Sequence, residues 1–124
     1  RKLADDLDAA IHCVYVIDEP HIYSTLDLGP VTLPTLPELV ESAKKRLNEF
    51  VKERLQGLSH ATVAQILTGR PADEIVAYAR NADAAMIVIT THGYSGVKQM
   101  LLGSTTEEVL RHADCPIMAV RTTI

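Results

Sequence analysis

Apolar residues along this chain fall into two alternating kinds of segment. One is a short, nearly continuous run. The other is longer and places an apolar residue every three or four positions. Cys13-Val14-Tyr15-Val16-Ile17 is a run of the first kind, ended by Asp18-Glu19-Pro20. That is the pattern of a strand buried on both faces of a parallel sheet. Ala61 to Leu67 and Met86 to Thr90 repeat it, and Cys115-Pro116 opens a last strand over Ile117 to Arg121. Helical spacing fills the intervals. Arg1 to Ala9 reads as the tail of a helix, with Leu3 and Leu7 one turn apart. Pro37 to Gln56 is the clearest helix, with apolar residues at 36, 40, 43, 47, 51 and 55. Pro37 suits its first turn and Gly57 its stop. Pro71 opens a short helix to about Arg80, with Ile75 and Ala79 inward, and Ser104 to His112 forms the last. Ser104-Thr105-Thr106-Glu107 fits a capping box with Ser104 as N-cap. Residues 18–36 carry Pro20, Gly29, Pro30 and Pro34 without a clean period and read as a long loop.

The resulting order, α-β-α-β-α-β-α-β, calls for a parallel sheet with helices on both faces. Val14, Val16, Ile87, Val88, Ile89 and Ile117 are then expected to be almost fully buried. At 124 residues the chain suits one domain, 1–124.

Composition narrows the function classes. Apolar residues are 47% and charged residues 23%, an ordinary globular balance. No apolar run approaches the roughly 20 residues of a membrane span, so no membrane partner is expected. The opening Arg1-Lys2-Leu3-Ala4-Asp5-Asp6 does not read as a secretory leader. A net charge of −4 disfavours a nucleic-acid partner, since such binders usually carry a basic face. Cys13 and Cys115 are too few for a disulfide framework, and buried thiols in a reducing cytoplasm are expected. The histidines at 12, 21, 60, 92 and 112 lack metal-ligand spacing, so no metal site is expected.

The candidate chemistry lies after the third strand. Thr90-Thr91-His92-Gly93 is followed by nine residues, Tyr94 to Leu102, and then by Gly103-Ser104-Thr105. A buried strand that opens into a glycine-bearing loop and then a helix start is how α/β proteins build phosphate sites. Backbone N–H groups point at the anion and the helix dipole adds its positive end. The same residues also fit a glycine turn before an ordinary capped helix, and the pattern alone leaves both open. There is no Gly-x-x-x-x-Gly-Lys-Ser/Thr loop, and no paired carboxylates surround the loop. Asp73, Glu74, Asp83 and Asp114 fit helix-end or surface positions. No catalytic residue is identified and no enzyme is expected.

From Val14 to Val120 the chain resembles the universal stress protein family. The resemblance rests on Tyr15-Val16-Ile17-Asp18, Gly69-Arg70-Pro71-Ala72-Asp73-Glu74-Ile75, Thr91-His92-Gly93 and Leu101-Leu102-Gly103-Ser104-Thr105-Thr106-Glu107. Ala113-Asp114-Cys115-Pro116-Ile117-Met118-Ala119-Val120 closes it. The family implies a flavodoxin-like sheet of five parallel strands, ordered 3-2-1-4-5. Its ATP-binding members carry Gly-x-x-Gly, nine residues, then Gly-Ser or Gly-Thr. Gly93, Gly103 and Ser104 match; Thr90 holds the place of the first glycine. The family's first strand, the centre of its sheet, has no counterpart here before residue 1. A truncated chain, or a strand donated by another chain, is the expected explanation.

The resemblance implies ATP or a related adenine nucleotide, with magnesium, in a small cytoplasmic stress-response or signalling module. Gly93 and the N–H groups after it would wrap the phosphates. Gly103 would allow close approach, and Ser104 and Thr105 would donate at the helix start. Val16 would lie at the adenine beside the end of the strand at Thr90, and His92 would line the ribose or phosphate side. For His92 a loop histidine satisfied by a backbone carbonyl fits equally; Lys98 could pair with a phosphate, although a lysine on a loop is more often solvated. Hydrolysis is expected to be slow and incidental. The alternative is a nucleotide-free homodimeric interaction module of the same family. A flavin site is disfavoured by four tyrosines, one phenylalanine and no tryptophan. The strand Ile117 to Arg121 is expected at a sheet edge, where pairing with its copy would make a homodimer.

Overall fold

The computed structural model describes residues 1–18, 34–91 and 102–121. The chain divides after Gly69 into two units, each holding one pair of strands.

The first unit contains α1 (Lys2–Asp6), β1 (His12–Ile17), α2 (Leu36–Arg54) and β2 (Val63–Thr68). β1 and β2 are parallel, with His12 opposite Val63 and Ile17 opposite Thr68. Parallel strands need a crossover, and α2 supplies it and packs on both. Thr35 starts α2 through a capping box. Its hydroxyl accepts from the Glu38 N–H at 3.4 Å, and the Glu38 carboxylate accepts from the Thr35 N–H at 3.0 Å. Val40, Ala43, Leu47, Val51 and Leu55 are half-buried, the inward stripe that the spacing predicts. Gly57 follows the helix at φ +76°, a left-handed conformation that glycine adopts without strain. Two contacts tie the chain start to this corner. The Arg1 guanidinium donates to the Gln56 carbonyl at 2.7 Å, and the His60 ring nitrogen meets the Asp8 carboxylate at 2.7 Å.

The second unit contains α3 (Pro71–Asn81), β3 (Ile87–Thr90), α4 (Ser104–His112) and β4 (Ile117–Val120). β3 and β4 are parallel, with Ile87 opposite Ile117 and Thr90 opposite Val120. The core is Val109, with no exposed surface, together with Ala72, Val76 and Ile87. Ile75, Ala79, Ile89, Ala113, Cys115 and Ile117 pack around it. Asp73 and Glu74 occupy the first turn of α3, and Arg80 Nε donates to Asp114 Oδ2 at 2.6 Å. These are the helix-end and surface placements expected for the acidic residues.

The elements fall where the pattern predicts them, but the burial does not. Of the six residues expected to be almost fully buried, only Ile87 is. Val14, Val16, Ile89 and Ile117 are half-buried, and Val88 is 59% exposed. The reason is geometric. Successive strand residues point to opposite faces. α3 and α4 cover the face of Ile87, Ile89 and Ile117, while Val88, Met118 and Val120 stand on the other and are 40% exposed or more. Among the described residues the strands form two separate two-stranded sheets. The pairings are those that the order 3-2-1-4-5 sets side by side, and they leave the full order unfixed. Of the long loop, residues 19–33 lie outside the described residues.

Ile87→Ala is expected to cost ~2–5 kcal/mol in chemical denaturation through the cavity it opens. Val88→Ala on the open face is expected to cost under ~1 kcal/mol, and equal costs would contradict one-sided burial. Burial on β1 also pushes the Cys13 thiol above its ordinary range, because desolvation disfavours the thiolate. The folded chain thus holds this proton more tightly than the unfolded chain does. The stabilisation is complete below the unfolded thiol's pKa and falls as pH rises through the folded one. Peptide mapping after iodoacetamide treatment should find Cys13 alkylated at higher pH in the folded chain than in urea. Coincident pH profiles would contradict the shift.

Candidate functional site

The carboxyl end of β3 and the amino end of α4 are fastened to each other. Thr91 is 8% exposed; its N–H donates to the Val120 carbonyl at 3.0 Å, extending the β3–β4 pairing by one residue. Its carbonyl accepts from the Gly103 N–H at 2.8 Å. The Thr106 hydroxyl, on a residue 4% exposed, donates to the Thr90 carbonyl at 2.8 Å. Thr91 and Gly103 are therefore held together at one place in the second unit. His92, Gly93 and Lys98 themselves lie outside the described residues.

α4 begins differently from the expectation. Its N-cap is Gly103, with φ −69° and ψ 155°, and a glycine cap brings no side chain of its own to the helix start. Ser104 is the first helical residue rather than the cap. That places Glu107 at the fourth helical position, one too far to reach back to the cap. Its backbone N–H makes the first helical bond, to the Gly103 carbonyl at 3.0 Å, and its carboxylate accepts from Arg111 at 2.7 Å. The consequence is chemical. With glycine as cap, no cap side chain occupies the leading N–H groups at the positive end of the helix dipole, an arrangement suited to an anion.

Four of the sequence-predicted residues meet here: Thr90 exposed at the end of β3, Gly103 half-buried at the cap, Ser104 exposed and Thr105 half-buried in the first turn. Val16 lies in the first unit, half-buried on β1 and opposite Leu67. Thr91 and Thr106, which the motifs contain but to which the sequence assigns no role, do the fastening. Thr106 was legible only as an interior member of the supposed capping box. A hydroxyl residue in a first helical turn, following a strand whose last carbonyls need partners, is the signal that was present. Arg70 sits just before α3 and meets the Glu108 carboxylate of α4 at 3.2 Å and that of Asp73 at 3.6 Å. Among the described residues no three His, Cys, Asp or Glu side chains come together to hold a metal ion.

The universal stress protein family model matches residues 1–121. Universal stress protein MJ0531 of Methanocaldococcus jannaschii is 30% identical over 120 residues, covering 97% of this chain and 69% of that protein. The solved structure of protein MJ0577 from the same organism superposes with a TM-score of 0.78 at 28% identity, over 94% of this chain and 78% of that one. A universal stress protein family protein of Arabidopsis thaliana, solved with AMP bound, has a TM-score of 0.58 at 20% identity. It covers 94% of this chain and 66% of that one, and it speaks to fold alone. Parallel strand pairs with crossover helices, a glycine-capped helix after the third strand and the extent of these matches agree: the chain belongs to the universal stress protein family, with its α/β flavodoxin-like fold.

Proposed function

We propose that this chain is a cytoplasmic stress-response or signalling module that binds ATP, with magnesium, or a related adenine nucleotide. The loop Gly93-x9-Gly103-Ser104 receives the phosphates. The observation that carries this reading is the glycine cap of α4, anchored to β3 by the 2.8 Å bond from the Gly103 N–H to the Thr91 carbonyl. A fixed helix start without a capping side chain suits phosphate oxygens, which accept from backbone N–H groups. Gly103 permits close approach, and the Ser104 and Thr105 hydroxyls and N–H groups donate. Gly93 wraps the phosphates, and His92 lines the ribose or phosphate side. The AMP held by the Arabidopsis thaliana protein of the same fold lends support at the level of the fold. Thr90 in place of the usual glycine ends β3 in extended backbone, which a β-branched residue adopts readily. Binding rather than turnover is the function, and hydrolysis is slow and incidental.

Gly103→Val tests the site. The backbone at φ −69° accepts any side chain, so the fold should persist while the isopropyl group blocks the phosphates. Calorimetry should show ATP binding to the unmutated chain and none to the variant. Equal affinity would reject the site, and no binding to either would favour the nucleotide-free module.

We also propose that the molecule is a homodimer through the strand Ile117 to Arg121. Among the described residues β4 pairs with β3 alone, and Met118 and Val120 are each 40% exposed. An apolar strand edge invites pairing, and a two-fold contact satisfies it without building a fibre. Sedimentation should give a dimer at micromolar concentration and a monomer for Val120→Lys. A dimer unaffected by that charge would exclude this contact.

A further inference from the structure

The Thr106 hydroxyl bonds outside its own helix. A threonine in a helix interior can donate to the carbonyl three or four residues back, but Thr106 stands in the first turn, where those carbonyls belong to the cap and the residue before it. It donates across 16 residues of sequence to the Thr90 carbonyl at 2.8 Å. It lies 4% exposed on the same side of α4 as Val109, which has no exposed surface, whereas Ser104 and Glu107 are exposed. A hydroxyl buried this deeply costs stability unless it is hydrogen-bonded. Its place is therefore set by the partner it finds on β3.

Two ties result, and their spacing matters. Gly103 is held through its N–H to the Thr91 carbonyl, and Thr106 through its hydroxyl to the Thr90 carbonyl. The strand end that receives both is fixed in turn by the Thr91 N–H on the Val120 carbonyl. Packing of Val109 already holds α4 against the sheet, and the bonds at Gly103 and Thr106 add two fixed points at its first turn. Ser104 and Thr105 lie between the two ties and inherit their orientation.

We infer that Thr106 is a positioning residue for anion recognition: its hydroxyl, bonded to the end of β3, aims the leading N–H groups and the Ser104 hydroxyl of α4 at the phosphates. The inference rests on the proposed nucleotide site, and it also makes a claim about the unliganded protein. Thr106→Val keeps the shape and removes the donor. Thr106→Ser keeps the donor and removes the methyl group.

Amide exchange without nucleotide reads the lock directly at Gly103 and Glu107, whose N–H groups close the turn. In Thr106→Val these two amides should exchange about tenfold faster, with the β1 and β2 amides unchanged, and ATP affinity should fall about tenfold. Thr106→Ser should restore both. Unchanged exchange in Thr106→Val, or failure of serine to restore it, would overturn the inference. So would loss of protection throughout both units, which would make Thr106 a general core residue. If the unmutated chain binds no ATP, the nucleotide reading fails and with it the functional half of this inference; the exchange result then decides whether Thr106 locks the turn.

Discussion

The parallel pairing of β3 with β4 is the constraint from which the second unit follows. Parallel strands cannot be joined by a tight turn, so the chain must cross back along the sheet before the next strand begins. α4 is that crossover. It can lie on the sheet only by burying Val109 and Thr106 against the face that carries Ile87 and Ile89. Once that face is buried, the start of α4 has to fall at the carboxyl end of β3. The free N–H groups of a helix start and the last carbonyls of a strand then meet in one place. Open α/β sheets bind ligands at this end of their strands for the same geometric reason.

Much of this was legible in the sequence because it depends on local pattern. The stripe at 40, 43, 47, 51 and 55 marks α2, and the half-burial of those residues follows from it. Pro71 and Gly57 punctuate helix ends through backbone restrictions that hold in any context. The start of α4 was harder to read. Ser104 and Glu107 satisfy the capping-box spacing, yet the helix begins one residue earlier, with Gly103 as its cap. The tie from the Gly103 N–H to the Thr91 carbonyl is a long-range bond that sets where the non-helical backbone stops. Local spacing does not encode that bond. Thr35 and Glu38 show the same motif where no such tie competes, and there it forms.

Burial was the least legible property. An apolar run such as Ile87-Val88-Ile89 states that a strand is compatible with being covered on both faces. Whether a second cover exists is decided by other elements. In this chain Ile87 and Ile89 face helices while Val88 pairs beside Met118 on a face left open among the described residues. The apolar run itself is the same whether one face is covered or two, so the degree of burial is not written in it.

The proposed site puts the phosphates of an adenine nucleotide at the amino end of α4. The most direct measurement is a two-dimensional amide NMR titration of the unmutated chain with ATP, AMP and inorganic phosphate. Binding of the kind described should shift the Gly103, Ser104, Thr105 and Thr106 amides with ATP and leave those of α2 in place. Shifts spread over α2, or none at all at ATP concentrations in the millimolar range, would contradict it.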